Sequence, residues 1–398
     1  MIEMKLLRQI ATYAPEYQGV KDILLANDKI IAIEDHIEAS ITGIDIEEID
    51  GSGKVAVPGF IDSHFHLLGG GGENGFHNRT PEVQLSQLTT AGVTTVVGVL
   101  GTDGVGRDDM ALLSKARGLE TEGVSTYIYV GSYRLPVNTL TDSVIKDLMA
   151  IDKVIGIGEI AIADHRNGAP TFTEFAHAAA DARVGGLLAG KAGVTNIHVG
   201  PGKSRLSFIR QALEETDIPV SNFYPTHCER NEALLDEAIA FAKAGGVFDI
   251  TGSENPDQTY ELDGSIPFRR CLKRVIDEGL DTDCITMTSD GQGSLPIFDE
   301  NNHFVEMGVG SSKSLLTGVK ESVEKENIPL ETALRAITSA PAKLLKFSKK
   351  GHLKVGFDAD IVLLDEDNLT IDTVIAKGET MVEKGTAVKW GTFEKSEA

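Results

Sequence analysis

Cysteine is scarce in this 398-residue sequence: Cys228, Cys271 and Cys284 are the three, far apart and odd in number. That pattern excludes a disulfide framework and fits reduced thiols, so the expected location is the cytoplasm. Positive charge is also in short supply, with 37 Lys and Arg against 60 Asp and Glu and a formal net charge of −23. So acidic a surface repels phosphate backbones and anionic lipid, which argues against nucleic acid and membranes as partners. No apolar run is long enough to span a bilayer, and the opening Met1-Ile2-Glu3-Met4-Lys5 stretch lacks the apolar core of a signal peptide. Nor is there a self-similar period of roughly 20–50 residues, which argues against a solenoid or propeller.

What is present is an ordinary globular composition, 41% hydrophobic, over a length that suits one (β/α)8 barrel plus a small companion domain. The two ends of the chain read alike. Asp22-Ile23-Leu24-Leu25-Ala26 and Lys29-Ile30-Ile31-Ala32-Ile33 near the start, and Asp360-Ile361-Val362-Leu363-Leu364 and Thr373-Val374-Ile375-Ala376 near the end, are short strand-like runs broken by turn residues. Strands this short cannot each bury a face alone, so residues 1–57 and 347–398 are expected to pair into one β-sandwich domain with the barrel, 58–346, inserted between them.

Within that insert, eight β-like runs recur: Val55 to Ile61, Thr94 to Val99, Thr126 to Gly131, Val154 to Ile160, Asn196 to Val199, Asn222 to Thr226, Val247 to Thr251 and Ile285 to Thr288. Helical periodicity separates several of them, as in Phe172 to Leu188 and Asn231 to Lys243. Alternation of this kind predicts an α/β fold with parallel strands and right-handed crossovers, closed into a TIM barrel.

The chemistry-bearing residues gather at the ends of those runs. His64 and His66 stand two apart, so a strand presents both imidazoles to one point. His198 ends the fifth run, His227 the sixth, and Asp290 follows the eighth. In a barrel these positions share the C-terminal rim, where active sites assemble. Alone, each histidine reads more simply as a structural residue; together they read as a metal site. Arg166 and Arg230 follow the fourth and sixth runs, and their guanidinium forks suit carboxylates. His165 and His77 are weaker candidates, for a supporting and a loop-lining position, while His36, His177, His303 and His352 read as structural or solvated and Cys228 as a small buried residue.

This constellation resembles the amidohydrolase superfamily and, within it, the isoaspartyl (β-aspartyl) dipeptidase family. The segments that narrow it are His64-Phe65-His66-Leu67-Leu68-Gly69-Gly70-Gly71-Gly72-Glu73, Gly101-Thr102-Asp103-Gly104, Ala163-Asp164-His165-Arg166, His227-Cys228-Glu229-Arg230 and Ser289-Asp290-Gly291-Gln292-Gly293-Ser294. The resemblance implies two divalent metal ions, zinc in the first instance, held by His64, His66, His198, His227 and Asp290. Most relatives bridge the pair with a carboxylated lysine near the end of the fourth strand. Here the family spacing before Arg166 lands on Glu159, and no lysine lies between Lys153 and Arg166. A glutamate offers the same oxygen-carbon-oxygen fork on a shorter stem, with Gly158 beside it to let the backbone approach.

The resemblance further implies cleavage of the isopeptide bond of β-aspartyl dipeptides by a metal-bridging hydroxide, with Asp290 as general base and acid and Tyr133 as hydrogen-bond donor to the oxyanion. Glu73 would hold the substrate α-amino group, Thr102 and Ser294 the aspartyl carboxylate, and the assembly would be a homo-oligomer, an octamer in relatives. Two alternatives stay open from the residues alone: another amidohydrolase acting on a cyclic amide or an N-acyl amino acid, and a scaffold without catalysis. Glu73, Arg166 and Arg230 weigh against the first, since a neutral cyclic amide needs no carboxylate clamps. Retention of four histidines and the aspartate weighs against the second.

Overall fold

The computed structural model describes residues 3–38, 45–73, 75–298 and 304–394, so His303 lies outside the described residues. Eight strands form the barrel: Phe60–Phe65, Val93–Gly98, Ser125–Val130, Val154–Ile162, Val194–Val199, Phe223–Thr226, Phe248–Thr251 and Ile285–Thr288. The first six pair in consecutive parallel order, and the last two pair with each other. Across the sixth and seventh, the Cys228 amide donates to the Asp249 carbonyl at 3.1 Å. A parallel bridge from Phe65 to Gly291 and a 2.9 Å bond from the His66 amide to the Gly291 carbonyl close the eighth onto the first. Most of these strands are buried along their whole length, as helices over a parallel sheet require.

Those helices start and stop where the sequence provides caps. Phe172–Ala189 opens on Thr171, which forms a reciprocal capping box with Glu174, and closes on Gly190 in the left-handed region. Glu232–Lys243 opens on the side chain of Asn231. Phe175 carries the first of these helices onto the sheet by stacking on Phe223, with ring centroids 5.9 Å apart.

The run expected as one strand from Val55 to Ile61 is two. Lys54–Pro58 pairs antiparallel with Ile361–Asp365, and the first barrel strand begins at Phe60. Gly59 is the joint. A Cβ there would fall 2.2 Å from Thr94 Oγ1, so only glycine lets the chain pass between the two sheets. Lys54–Pro58 also pairs with Met4–Tyr13, which places both chain ends in a nine-stranded mixed sheet, the small β-sandwich domain. Leu7, Ile10, Ile23, Leu363 and Ile375 fill its core. Among the described residues no helix is long and apolar enough to cross a membrane.

Candidate active site

All six metal-ligand candidates meet at the C-terminal rim. His64 Nε2 lies 3.3 Å from Glu159 Oε2 and 3.6 Å from Asp290 Oδ1, and His66 Nε2 lies 3.0 Å from Asp290 Oδ1 and 3.5 Å from Glu159 Oε1. His198 Nδ1 and His227 Nε2 approach Glu159 Oε2 at 3.2 and 3.7 Å. Glu159 thus stands amid four imidazoles. Two overlapping sets among the described residues bring their ligand atoms close enough to hold an ion, His64 with His66 and Asp290, or His64 with Glu159 and His227. His198 reaches the cluster through Glu159 without joining either set.

Glu159 gets there by a local irregularity. Thr195 pairs with Ile157 and Ile197 with Ile160, so Gly158 and Glu159 together stand opposite Asn196, a bulge in the fourth strand. Gly158 has φ +147°, and a Cβ on it would meet the Asn196 carbonyl at 2.7 Å. The bulge turns the carboxylate inward, which is how the shorter side chain reaches the centre. His227 and Asp290 also sit at positive φ, +64° and +49°, so rim backbone is held in a sparsely populated conformation where the ligands sit.

The residues present fit divalent cations. His64 Nε2, His66 Nδ1, Glu159 Oε1 and Asp290 Oδ1 are all buried without a hydrogen-bond partner among the described residues, and buried polar atoms left unsatisfied are costly unless something else engages them. The charges agree. Burial alone would raise Glu159, but His64 and the hydrogen-bonding histidines outweigh it and hold the carboxyl well below the usual range. Asp290 is likewise held down against burial by His66. Burial would lower His64, yet Glu159 lifts it to about 9, a negative field that a cation would meet in the proton's place, while burial, with His198 and Arg230 near, keeps His227 at about 3 and neutral.

Three polar side chains that the sequence reading missed orient these imidazoles from behind. Asn196 Oδ1 meets His64 Nδ1 at 3.0 Å, Thr251 Oγ1 meets His227 Nδ1 at 2.6 Å, and Asp164 Oδ2 meets His198 Nε2 at 3.1 Å. Each fixes one ring nitrogen and leaves the other for the cluster. Asp164 lies in the Ala163-Asp164-His165-Arg166 segment, which gave it no role, and for Asn196 and Thr251 the only sequence signal is a place on a barrel strand.

A cavity of about 820 Å³ opens onto the cluster, and Glu73, Thr102, Tyr133, Arg166, Arg230 and Ser294 all line it. Arg230 Nε and Thr102 Oγ1 are buried there without partners among the described residues. Arg166 is engaged: Nε and Nη2 bond the two oxygens of Asp164 at 2.9 and 2.8 Å, Nη1 bonds Glu73 Oε1 at 2.9 Å, and the guanidinium lies over the Tyr133 ring. Tyr133 Oη is 2.9 Å from His198 Nδ1. Ser314, at the start of Lys313–Glu326, and the segment Thr251–Ser265 also line the cavity, and no motif announced them. His165 is exposed at the rim and His77 is exposed on its loop, whereas His352 Nδ1 is tied to the Ala14 carbonyl at 2.9 Å, far along the chain from the site.

Comparison with known proteins agrees with this geometry. The amidohydrolase family profile matches residues 55–381. The β-aspartyl dipeptidase of Fervidobacterium islandicum AW-1, solved in complex with β-Asp-Leu, is 41% identical, superposes with a TM-score of 0.90, and covers 97% of this chain and 98% of its own. The chain belongs to the isoaspartyl dipeptidase family of amidohydrolases. Other matches are more distant. Dihydropyrimidinase from Brevibacillus agri NCHU1002 is 17% identical with a TM-score of 0.65, which shows a shared fold and no more. Dihydroorotase from Listeria welshimeri is 39% identical, but over only 82 residues, 21% of this chain and 18% of that protein. Family membership thus rests on the whole-chain match.

Proposed function

We propose that the protein hydrolyses β-aspartyl dipeptides at a pair of divalent cations, with zinc as the ion. The observation that carries this reading is the company the ligand cluster keeps: an acidic side chain, Glu73, and two guanidinium groups in one cavity with it. A dipeptide joined through the aspartyl side chain offers a free α-ammonium and two carboxylates, the complement of that set. The 41% identical relative bound to β-Asp-Leu supports the same substrate class. Imidazole and carboxylate donors support zinc, and Glu159, with Oε1 toward His66 and Oε2 toward His64, His198 and His227, supports a pair.

When bound, the cations lower the pKa of water and draw electron density from the scissile carbonyl. The chain's own groups do the rest. Glu73 holds the α-ammonium, and Thr102 and Ser294 orient the aspartyl carboxylate. Arg230, whose Nε is unpartnered, takes the carboxylate of the leaving residue. Asp290 is kept ionised by His66, so it accepts the proton of the attacking water and returns it to the departing amine nitrogen. Tyr133 keeps its proton because burial, and then Glu159, raise it well above the usual phenol range; it donates to the developing oxyanion. The unpaired thiols support a cytoplasmic location, and a homo-oligomer remains part of the proposal.

Turnover of β-Asp-Leu, α-Asp-Leu and a hydantoin by the zinc-loaded protein tests this directly. The β-linked peptide should be cleaved with by far the highest kcat/KM. Preference for the α-linked peptide or the hydantoin overturns the substrate assignment, and full activity in metal-stripped protein overturns the metal assignment.

A further inference from the structure

We propose that Asp164 is a positioning residue that couples the substrate clamp to the metal-facing imidazole of His198. Its carboxylate faces two ways. Oδ2 accepts from His198 Nε2 at 3.1 Å and from Arg166 Nη2 at 2.8 Å, while Oδ1 accepts from Arg166 Nε at 2.9 Å and from the Arg166 amide at 2.8 Å. Because Nε2 donates to Asp164, the lone pair of Nδ1 is left for a metal ion at the edge of the cluster, 3.2 Å from Glu159 Oε2. On the other side Arg166 has one arm left, Nη1, and it reaches Glu73 Oε1 at 2.9 Å. A continuous chain of ionic hydrogen bonds thus runs from Glu73 at the cavity mouth through Arg166 and Asp164 to His198.

Asp164 does not itself line the cavity, and its side chain is 1% exposed, so it acts only through its two partners. The turn that carries it is rigid. The Gly202 amide donates to the Ala163 carbonyl at 2.8 Å, and a Cβ on Gly202 would fall 2.3 Å from that oxygen. The loop after the strand of His198 is therefore docked on the turn of Asp164, and a shift of one carboxylate is felt by the imidazole. This inference rests on the proposed function, in which the substrate α-ammonium binds Glu73. Arrival of that ammonium competes with Arg166 Nη1 and frees it for a substrate carboxylate, while Asp164 keeps the guanidinium plane in place.

The test uses zinc-loaded protein and two readouts, the rate of zinc loss to a chelator and the steady-state constants for β-Asp-Leu. Asp164→Asn should lose zinc about tenfold faster and show a raised KM, with the unfolding temperature of the metal-free protein close to wild type. Arg166→Lys should raise KM and also speed zinc loss, by about threefold, an effect foreign to a residue that meets only substrate. Wild-type zinc retention in folded Asp164→Asn, or an unchanged rate of zinc loss in Arg166→Lys, overturns the coupling. Should Asp164→Asn fail to fold, the Arg166→Lys arm decides alone. If wild-type protein does not cleave β-Asp-Leu, the substrate reading fails, and the zinc arms still decide whether Asp164 and Arg166 act on His198.

Discussion

At the scale of single residues, the site sorts its groups by protonation. Tyr133 and Asp290 face one cluster, yet burial and Glu159 keep the phenol neutral while His66 keeps the carboxylate charged. One is fixed as donor and the other as acceptor. Tyr133→Phe removes only the donor, so kcat for β-Asp-Leu should fall by about 100-fold or more with little change in KM. Steady-state kinetics check this; wild-type kcat in the variant would take Tyr133 out of the reaction. Five of the ligand candidates were legible because a strand's two-residue period and a barrel's rim turn sequence position into direction; Glu159 came only from the family spacing before Arg166. The roles of Asn196, Thr251 and Asp164 were not legible, even with Asp164 inside a motif, because each is defined by a contact to a residue 24 to 132 positions away.

At the scale of elements, the fourth barrel strand, Val154–Ile162, shows where composition alone stops informing. Its run of buried apolar residues predicts a strand, and the bulge opposite Asn196 is invisible in that run even though Glu159 depends on it. Glycine at 158 is the one local hint. Gly158→Ala would force a Cβ to within 2.8 Å of Asn196 Cβ as well as onto its carbonyl, at a φ that side chains rarely adopt. Backbone and Cβ on the neighbouring strand cannot swing aside, so a loss of roughly 1–3 kcal/mol in stability is expected. Because Asn196 also holds His64, zinc content should fall in step. Calorimetry and metal analysis of the purified variant check both, and an unfolding temperature and zinc content equal to wild type would show that the bulge accepts a side chain. The division of Val55 to Ile61 at Gly59 has the same origin: two consecutive strands of different sheets look like one run until the close approach to Thr94 is known.

At the scale of the whole molecule, a chain with net charge −23 has few cations for its many carboxylates, and one place where a cation meets a buried carboxylate is the terminal sheet. Asp22 is that carboxylate. Fully buried, it accepts from the amides of Gln9 and Ile37 at 2.9 and 3.0 Å and from Arg8 Nη1 at 2.8 Å, which ties three segments of the N-terminal half of the sheet together. Burial alone would raise its pKa, but the two amides and Arg8 outweigh it, so the folded value lies below the ordinary carboxyl value of 3.8. A depressed folded pKa contributes stability that is complete above the unfolded value and drains away as pH falls through the folded one. Asp22→Asn should therefore cost about 1–3 kcal/mol near pH 7. The gap from wild type should narrow once the pH drops below the unfolded carboxyl value, where the unfolded chain takes up the proton, and close as pH falls through the folded value, where the native carboxyl loses its charge too. Urea midpoints for the pair across a range of pH read this directly. A gap that stays constant into acid would mean that shape, and not charge, is what Asp22 supplies to the sheet.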